Sequence, residues 1–190
     1  MRLFHPSIEQ HRNLAWGSHE SQTVSESQDA PEPAIVELFR HNLWANLRLL
    51  EACESLTPDQ LEATAVGTYG SIYETLLHII DSEEWYLSGL SVLARDKMLQ
   101  PGERPSVAGL RDHQSRAGEG LIQVAPGVKS GDLARWETQR GVRSMPAPRL
   151  LTQIINHATE HRAQVNVILT QIGVPSVDFS GWTAERSHRR

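Results

Sequence analysis

Asn156-His157-Ala158-Thr159-Glu160-His161-Arg162 sits inside an apolar stretch running from Leu150 to Ile172, and its reading decides the fold. Pro148 opens that stretch, and Gly173 with Pro175 closes it, the punctuation of a long helix. On a helix, residues four apart share a face about one turn apart, so His157 and His161 present two imidazoles together. Helical zinc sites use this arrangement. With nine histidines in 190 residues, about 0.4 such pairs arise by chance, so the pair alone decides little. His78 adds weight, because it lies in the other comparably apolar helical run, Ile72 to Leu93. Three imidazoles from two inward-facing helices leave a metal one open coordination position.

Outward from that pair, the chain reads as four main helices. From Ala34 to Ser55, Ile35, Leu38, Phe39, Asn42, Leu43, Leu47 and Leu50 recur at steps of three and four, a helical stripe introduced by Pro31 and Pro33. Thr57-Pro58-Asp59-Gln60 carries the residues of a capping box and predicts a short helical turn, broken at Gly67-Thr68-Tyr69-Gly70. Ser71-Ile72-Tyr73-Glu74 is a second box and starts helix two, whose stripe is Ile72, Leu76, Ile79, Glu83, Tyr86 and Leu90. Ser106 to Val124 makes the third helix, weakened by Gly109, Gly118 and Gly120 at about 1 kcal/mol each. Between Pro126 and Pro148 lies an irregular insert, in which Leu133 to Thr138 and Gly141 to Met145 can pair as short strands across Gln139-Arg140. The expected fold is all-α: a four-helix bundle over residues 31–175, with a short irregular or β-hairpin insert before the last helix.

The flanks differ. Residues 1–30 are polar and serine-rich, with too little apolar surface to offset ordering entropy, and read as a flexible extension with Leu3-Phe4 and Leu14-Ala15-Trp16 as docking points. Residues 176–190 read as a C-terminal tail. A net charge of −5 and a pI near 6.0 argue against nucleic-acid binding, which depends on neutralising phosphates. The single cysteine, Cys53, forms no intramolecular disulfide and points to a reducing compartment. No apolar run reaches the ~20 residues that span a bilayer, and no secretory signal is evident. The expectation is a cytoplasmic protein without a membrane or nucleic-acid partner.

Three segments in this order resemble the DinB/YfiT-like superfamily of small metal-binding bundles, which is unrelated to the polymerase sharing the DinB name. They are Asn42-Leu43-Trp44-Ala45-Asn46, Gly70 to Ile79, and Asn156 to Gln164. The resemblance covers roughly Ile35 to Pro175, and the third segment is the distinctive one. It implies that His78, His157 and His161 bind a divalent metal. It also implies kinship with metal-dependent S-transferases that use bacterial low-molecular-weight thiols such as bacillithiol or mycothiol, alongside members of no known activity.

Each feature also has a plainer reading. His157, His161 and His78 are equally the kind of residue found as hydrogen-bonded polar or boundary groups in helices. Glu160 points about 100° away from His161 and suits surface or supporting use rather than ligation. His41 and His113 sit among polar neighbours and read as solvated; His5, His11, His19 and His188 lie in the flanks. Cys53 reads as a small core residue rather than a nucleophile. Trp44 and Trp85 read as packing anchors. Arg135, Arg140, Arg143 and Arg149 read as solvated charges around the insert, with an anionic substrate as the alternative.

Three neutral imidazoles leave the full +2 charge on an ion, and three protein ligands plus water is the catalytic rather than the structural pattern. Zinc or nickel is the first choice, with iron and copper also suited to imidazole. Such an ion activates a water or favours the anion of an exogenous thiol. The expected function is therefore S-conjugation of a small electrophile by a low-molecular-weight thiol. A metal-dependent hydrolase and a non-catalytic metal-binding bundle are the alternatives. No catalytic general base is identifiable, and a homodimer is left open.

Overall fold

Capping residues fix where the helices of the first half begin. The structure, a computed structural model, describes residues 32–90 and 94–188; the extension read at residues 1–30 lies outside them. Helix α1 spans Ala34–Cys53. Thr57 and Gln60 close a reciprocal capping box at the start of the one-turn helix α2, Pro58–Leu61. Ser71 and Glu74 do the same for α3, Ile72–Gly89. Each box satisfies two backbone donors that a helix start otherwise leaves unpaired. The sequence stripe predicts α3 as far as Leu93, but the helix closes on Leu90 after Gly89, where a residue without a side chain favours an end over another turn.

Helix α4, Val107–Val124, is capped by Ser106 and forms despite its three glycines. Two of them mark close approaches: a Cβ at Gly118 would stand 2.5 Å from Leu43, and one at Gly120 would stand 2.6 Å from Leu87. Close helix packing here replaces the lost propensity. The insert is the expected hairpin, β1 at Leu133–Thr138 and β2 at Gly141–Pro146, antiparallel with Thr138 opposite Gly141. Gly141 turns the chain with a φ of 107°, a conformation glycine adopts without penalty. Helix α5, Ala147–Gln171, has Pro148 in its first turn. It ends in a Schellman pattern, with Val174 N–H on Leu169 O and Gly173 at φ 78°. Beyond Pro175, Asn166 brackets the backbone of Val177 with two hydrogen bonds. A further short helix, α6, follows at Gly181–His188, within the segment read as a tail.

The four long helices pack as a ring, α1 on α4, α4 on α3, α3 on α5 and α5 on α1. Their apolar faces form two clusters. One gathers Leu49, Leu50, Cys53, Leu76, Ile80, Leu110 and Val165; the other gathers Phe39, Leu87, Leu121, Trp136, Leu150 and Ile154. Each of the four long helices also buries polar residues at this level: Asn42 and Asn46 on α1, Glu83 on α3 and Gln114 on α4 between the clusters, and Arg162 on α5 within the first. Glu83 is fully buried. Its Oε1 accepts from Asn42 and Asn46 at 2.8 and 2.9 Å, and its Oε2 accepts from Gln114 at 2.7 Å. Arg162 donates through Nη1 to the Oδ1 atoms of Asn42 and Asn46 at 2.8 and 2.6 Å, and through Nη2 to Thr159. The acid and the base are thus joined through two amides, the pairing that makes burial of both charges tolerable.

Candidate metal centre

His157 and His161 come from the middle of α5 and His78 from α3, and the packing of α3 against α5 turns all three inward. One nitrogen of each lies within 4.8 Å of the other two. Ring centroids are 4.8 Å apart for His78 and His157, 4.8 Å for His78 and His161, and 4.5 Å for His157 and His161. The Nε2 atoms of His78 and His157 face each other at 3.0 Å. The sequence-predicted trio is brought together.

Burial sets their protonation. Desolvation lowers His157 to about 4, with further lowering by His161 and His78. His78 is lowered mainly by desolvation and then by His161, with Asp81 pulling the other way. Both rings are therefore neutral near pH 7, the form in which imidazole offers a lone pair to a metal. His161 Nδ1 lies 2.8 Å from Gln164 Oε1. Gln164 Oε1 only accepts, so His161 carries its proton on Nδ1 and presents Nε2 as its free lone pair. The same oxygen accepts the Tyr69 N–H at 3.1 Å. The buried Nδ1 of His157 has no hydrogen-bond partner among the described residues, so that ring's environment is completed only by what its Nε2 meets. The Nε2 contact between His78 and His157 depends on their tautomers; with both protons on Nδ1, their two Nε2 lone pairs and that of His161 make a donor set that fits a divalent cation.

Tyr69 stacks on His78 with centroids 4.0 Å apart and planes at 8°, and meets His161 edge-on. It comes from the loop before α3, which the sequence marks only as a break, and no periodic pattern points to it. Tyr69 and His78 line an open cleft of about 590 Å³, whose other walls are Glu74, Leu77, Asp81 and the Leu99–Glu103 loop. That loop is fastened by Leu99 N–H to Glu84 Oε2 at 2.7 Å and by the Tyr73 hydroxyl to Pro105 O at 2.8 Å.

Other readings change. His113 is not simply solvated: its Nδ1 lies 2.6 Å from Oε1 of the buried Glu84. His41 is half-buried with its ring 5.4 Å from that of Trp44. His5, His11 and His19 lie outside the described residues. Cys53 is fully buried and its thiol is pushed up to about 12 by desolvation, so it is inert packing. Trp85 is an anchor, stacked on Trp136 of the hairpin at 4.2 Å and accepting its indole N–H through the backbone carbonyl at 2.8 Å. No helix among the described residues is long and apolar enough to cross a membrane.

The solved structure of a DinB-like protein from Bacillus cereus superposes on 76% of this chain and 94% of its own, with a TM-score of 0.58 and 17% sequence identity. At that identity the likeness is one of fold. A search of curated proteins finds no match. The DinB family model matches residues 23–189, a span that takes in every element described above. On that match, this protein belongs to the DinB family.

Proposed function

We propose that the four long helices act as a DinB-type four-helix bundle in which His78, His157 and His161 hold one divalent ion, zinc or nickel in the first instance. We further propose that the protein is a metal-dependent S-transferase joining a low-molecular-weight thiol to a small electrophile. The observation that carries the reading is the convergence of three ligand nitrogens, with one of the three residues, His78, on the wall of a cleft open to solvent. Three protein ligands, rather than four, is the pattern of sites that leave room for a reactant. An ion held there supplies a +2 charge that favours the anion of a thiol over its neutral form.

The chain's own residues supply the rest. His78 and His157 stay neutral through burial and keep their lone pairs available. Gln164 holds the His161 ring in its tautomer. The cleft beside His78 and Tyr69 receives the reactant. The one cysteine is buried and protonated, which supports a nucleophile brought from outside over a covalent protein intermediate. The reaction forms a sulfur–carbon bond, releases the thiol proton to water, and lets the leaving group depart with the electron pair of the bond it breaks; no redox change occurs.

The test is a screen of metal-replete protein with bacillithiol, mycothiol and glutathione against a panel of electrophiles, read by mass spectrometry of the conjugate. Conjugation abolished by His161→Ala and unchanged by Cys53→Ser is the expected result. No conjugate across the panel overturns the transferase reading in favour of hydrolysis or a non-catalytic role.

A further inference from the structure

Resting on the metal reading above, we propose that the small molecule entering the cleft beside His78 carries an ammonium group, and that an anionic one is disfavoured. Glu74 and Asp81 stand four residues before and three after His78 on α3, so their side chains flank the imidazole on one helix face. Glu103 faces them from the fastened loop across the cleft. Asp81 makes no hydrogen bond or ion pair among the described residues. Each glutamate spends one oxygen on a backbone N–H, Glu74 on Ser71 at 3.0 Å and Glu103 on Gln100 at 2.9 Å. The other oxygen of each has no hydrogen-bond partner among the described residues.

Among the described residues, no lysine or arginine lines the cleft. Arg104, next in sequence to Glu103, is engaged elsewhere: it pairs with Glu62 at 2.8 Å and lies over the Tyr73 ring at 4.6 Å. The remaining polar walls beside His78 are Gln100, whose amide N–H groups are spent on the Arg95 and Met98 carbonyls, and the Tyr69 ring, 55% exposed. Carboxylates around an aromatic ring are the combination that recognises an ammonium, through charge and through the ring's negative face. A carboxylate-bearing reactant meets three like charges, one more than the +2 of an ion on the histidines would offset, in a partly walled cleft where their field is focused rather than screened.

The test uses cobalt-loaded protein and three thiols of matched size: cysteamine, 2-mercaptoethanol and 3-mercaptopropionate. Binding is read from the sulfur-to-cobalt charge-transfer band at low salt, with each Kd corrected for the thiol's own pKa. Cysteamine should bind about tenfold more tightly than 3-mercaptopropionate, with 2-mercaptoethanol between them. In the Asp81→Asn, Glu103→Gln double variant the ratio between the two charged thiols should fall to within about threefold. Equal affinities in the unmodified protein, a preference for 3-mercaptopropionate, or a ratio unmoved by the double variant overturns the proposal while leaving the metal reading intact. Failure to retain cobalt overturns the metal reading itself; cobalt retained with no charge-transfer band for any of the three overturns the thiol-binding reading and this proposal with it.

Discussion

Gln164 accepts two hydrogen bonds at one oxygen, from His161 Nδ1 and from the Tyr69 N–H. It thereby couples a candidate ligand to the loop that packs on another. Removing such a supporting partner typically weakens metal binding 10–100-fold. Gln164→Ala should therefore lower affinity by roughly that factor in a chelator competition titration while leaving the melting temperature within a few degrees. Unchanged affinity would mean that His161 is held by its helix alone. A pH effect also belongs to this scale. His157 titrates at an ordinary 6.5 when unfolded and at about 4 when folded. Above pH 6.5 the ring is neutral in both states and contributes no pH dependence. As pH falls from 6.5 towards 4, the unfolded chain takes up a proton that the folded site refuses, so metal-free protein should lose stability across that window. Partial exposure of the ring reduces the effect to about 1–2 kcal/mol. Urea titrations at pH 7 and pH 4.5 should show the loss, and His157→Gln should remove much of it. His157 and His161 are legible in the sequence because helical spacing puts them on one face, and His78 because it lies in the other apolar helical run and in a segment of the family resemblance. Tyr69 is not, because it reaches His78 only through the fold, from a loop that has no period to read.

The hairpin shows what one element requires of another. Trp136 lies flat on Trp85 and directly over Gly89, where an added Cβ would stand 2.2 Å from the indole. An indole cannot bend away as a leucine tip can, so Gly89→Ala must displace β1 or the end of α3. Overpacking of this kind costs about 1–3 kcal/mol. The expected outcome is a lower melting temperature together with altered tryptophan fluorescence; wild-type values of both would show that the hairpin is not seated on α3. Strand pairing across Gln139-Arg140 is readable beforehand as one of two options for the insert, a hairpin or an irregular segment, and the hairpin is what forms. The end of α3 is not, because the apolar pattern runs on past Gly89 while the helix stops there. Helix α6 also escapes the pattern: Gly181-Trp182-Thr183-Ala184 lacks a long stripe, and Asp178 at its approach accepts from Ser180 N–H and the Thr183 hydroxyl.

Across the whole molecule, one polar layer divides two apolar clusters. Burial raises the Glu83 carboxyl, and Gln114, Asn42, Arg162 and Asn46 draw it back; burial lowers Arg162 to about 10, with Glu83 opposing. Three donated hydrogen bonds, from Asn42, Asn46 and Gln114, suit Glu83 as the anion. Breaking one side of a buried pair typically costs 3–5 kcal/mol, so Glu83→Leu should destabilise by about that much and Glu83→Gln by less. A loss below about 1 kcal/mol for Glu83→Leu in a denaturant titration would show that the layer contributes little. The stripes of α1 and α3 already contain Asn42 and Glu83, but a sequence read one helix at a time does not show that four helices place their polar residues at one level. The central claim is that His78, His157 and His161 hold one ion. Its most direct test is the metal content, by mass spectrometry, of protein purified without a histidine tag and of His157→Ala prepared alongside. The account predicts about one divalent ion per chain in the first and almost none in the second, with helical circular dichroism preserved in both. Equal metal in the two, or none in the unmodified protein after saturation with zinc and nickel, would contradict it.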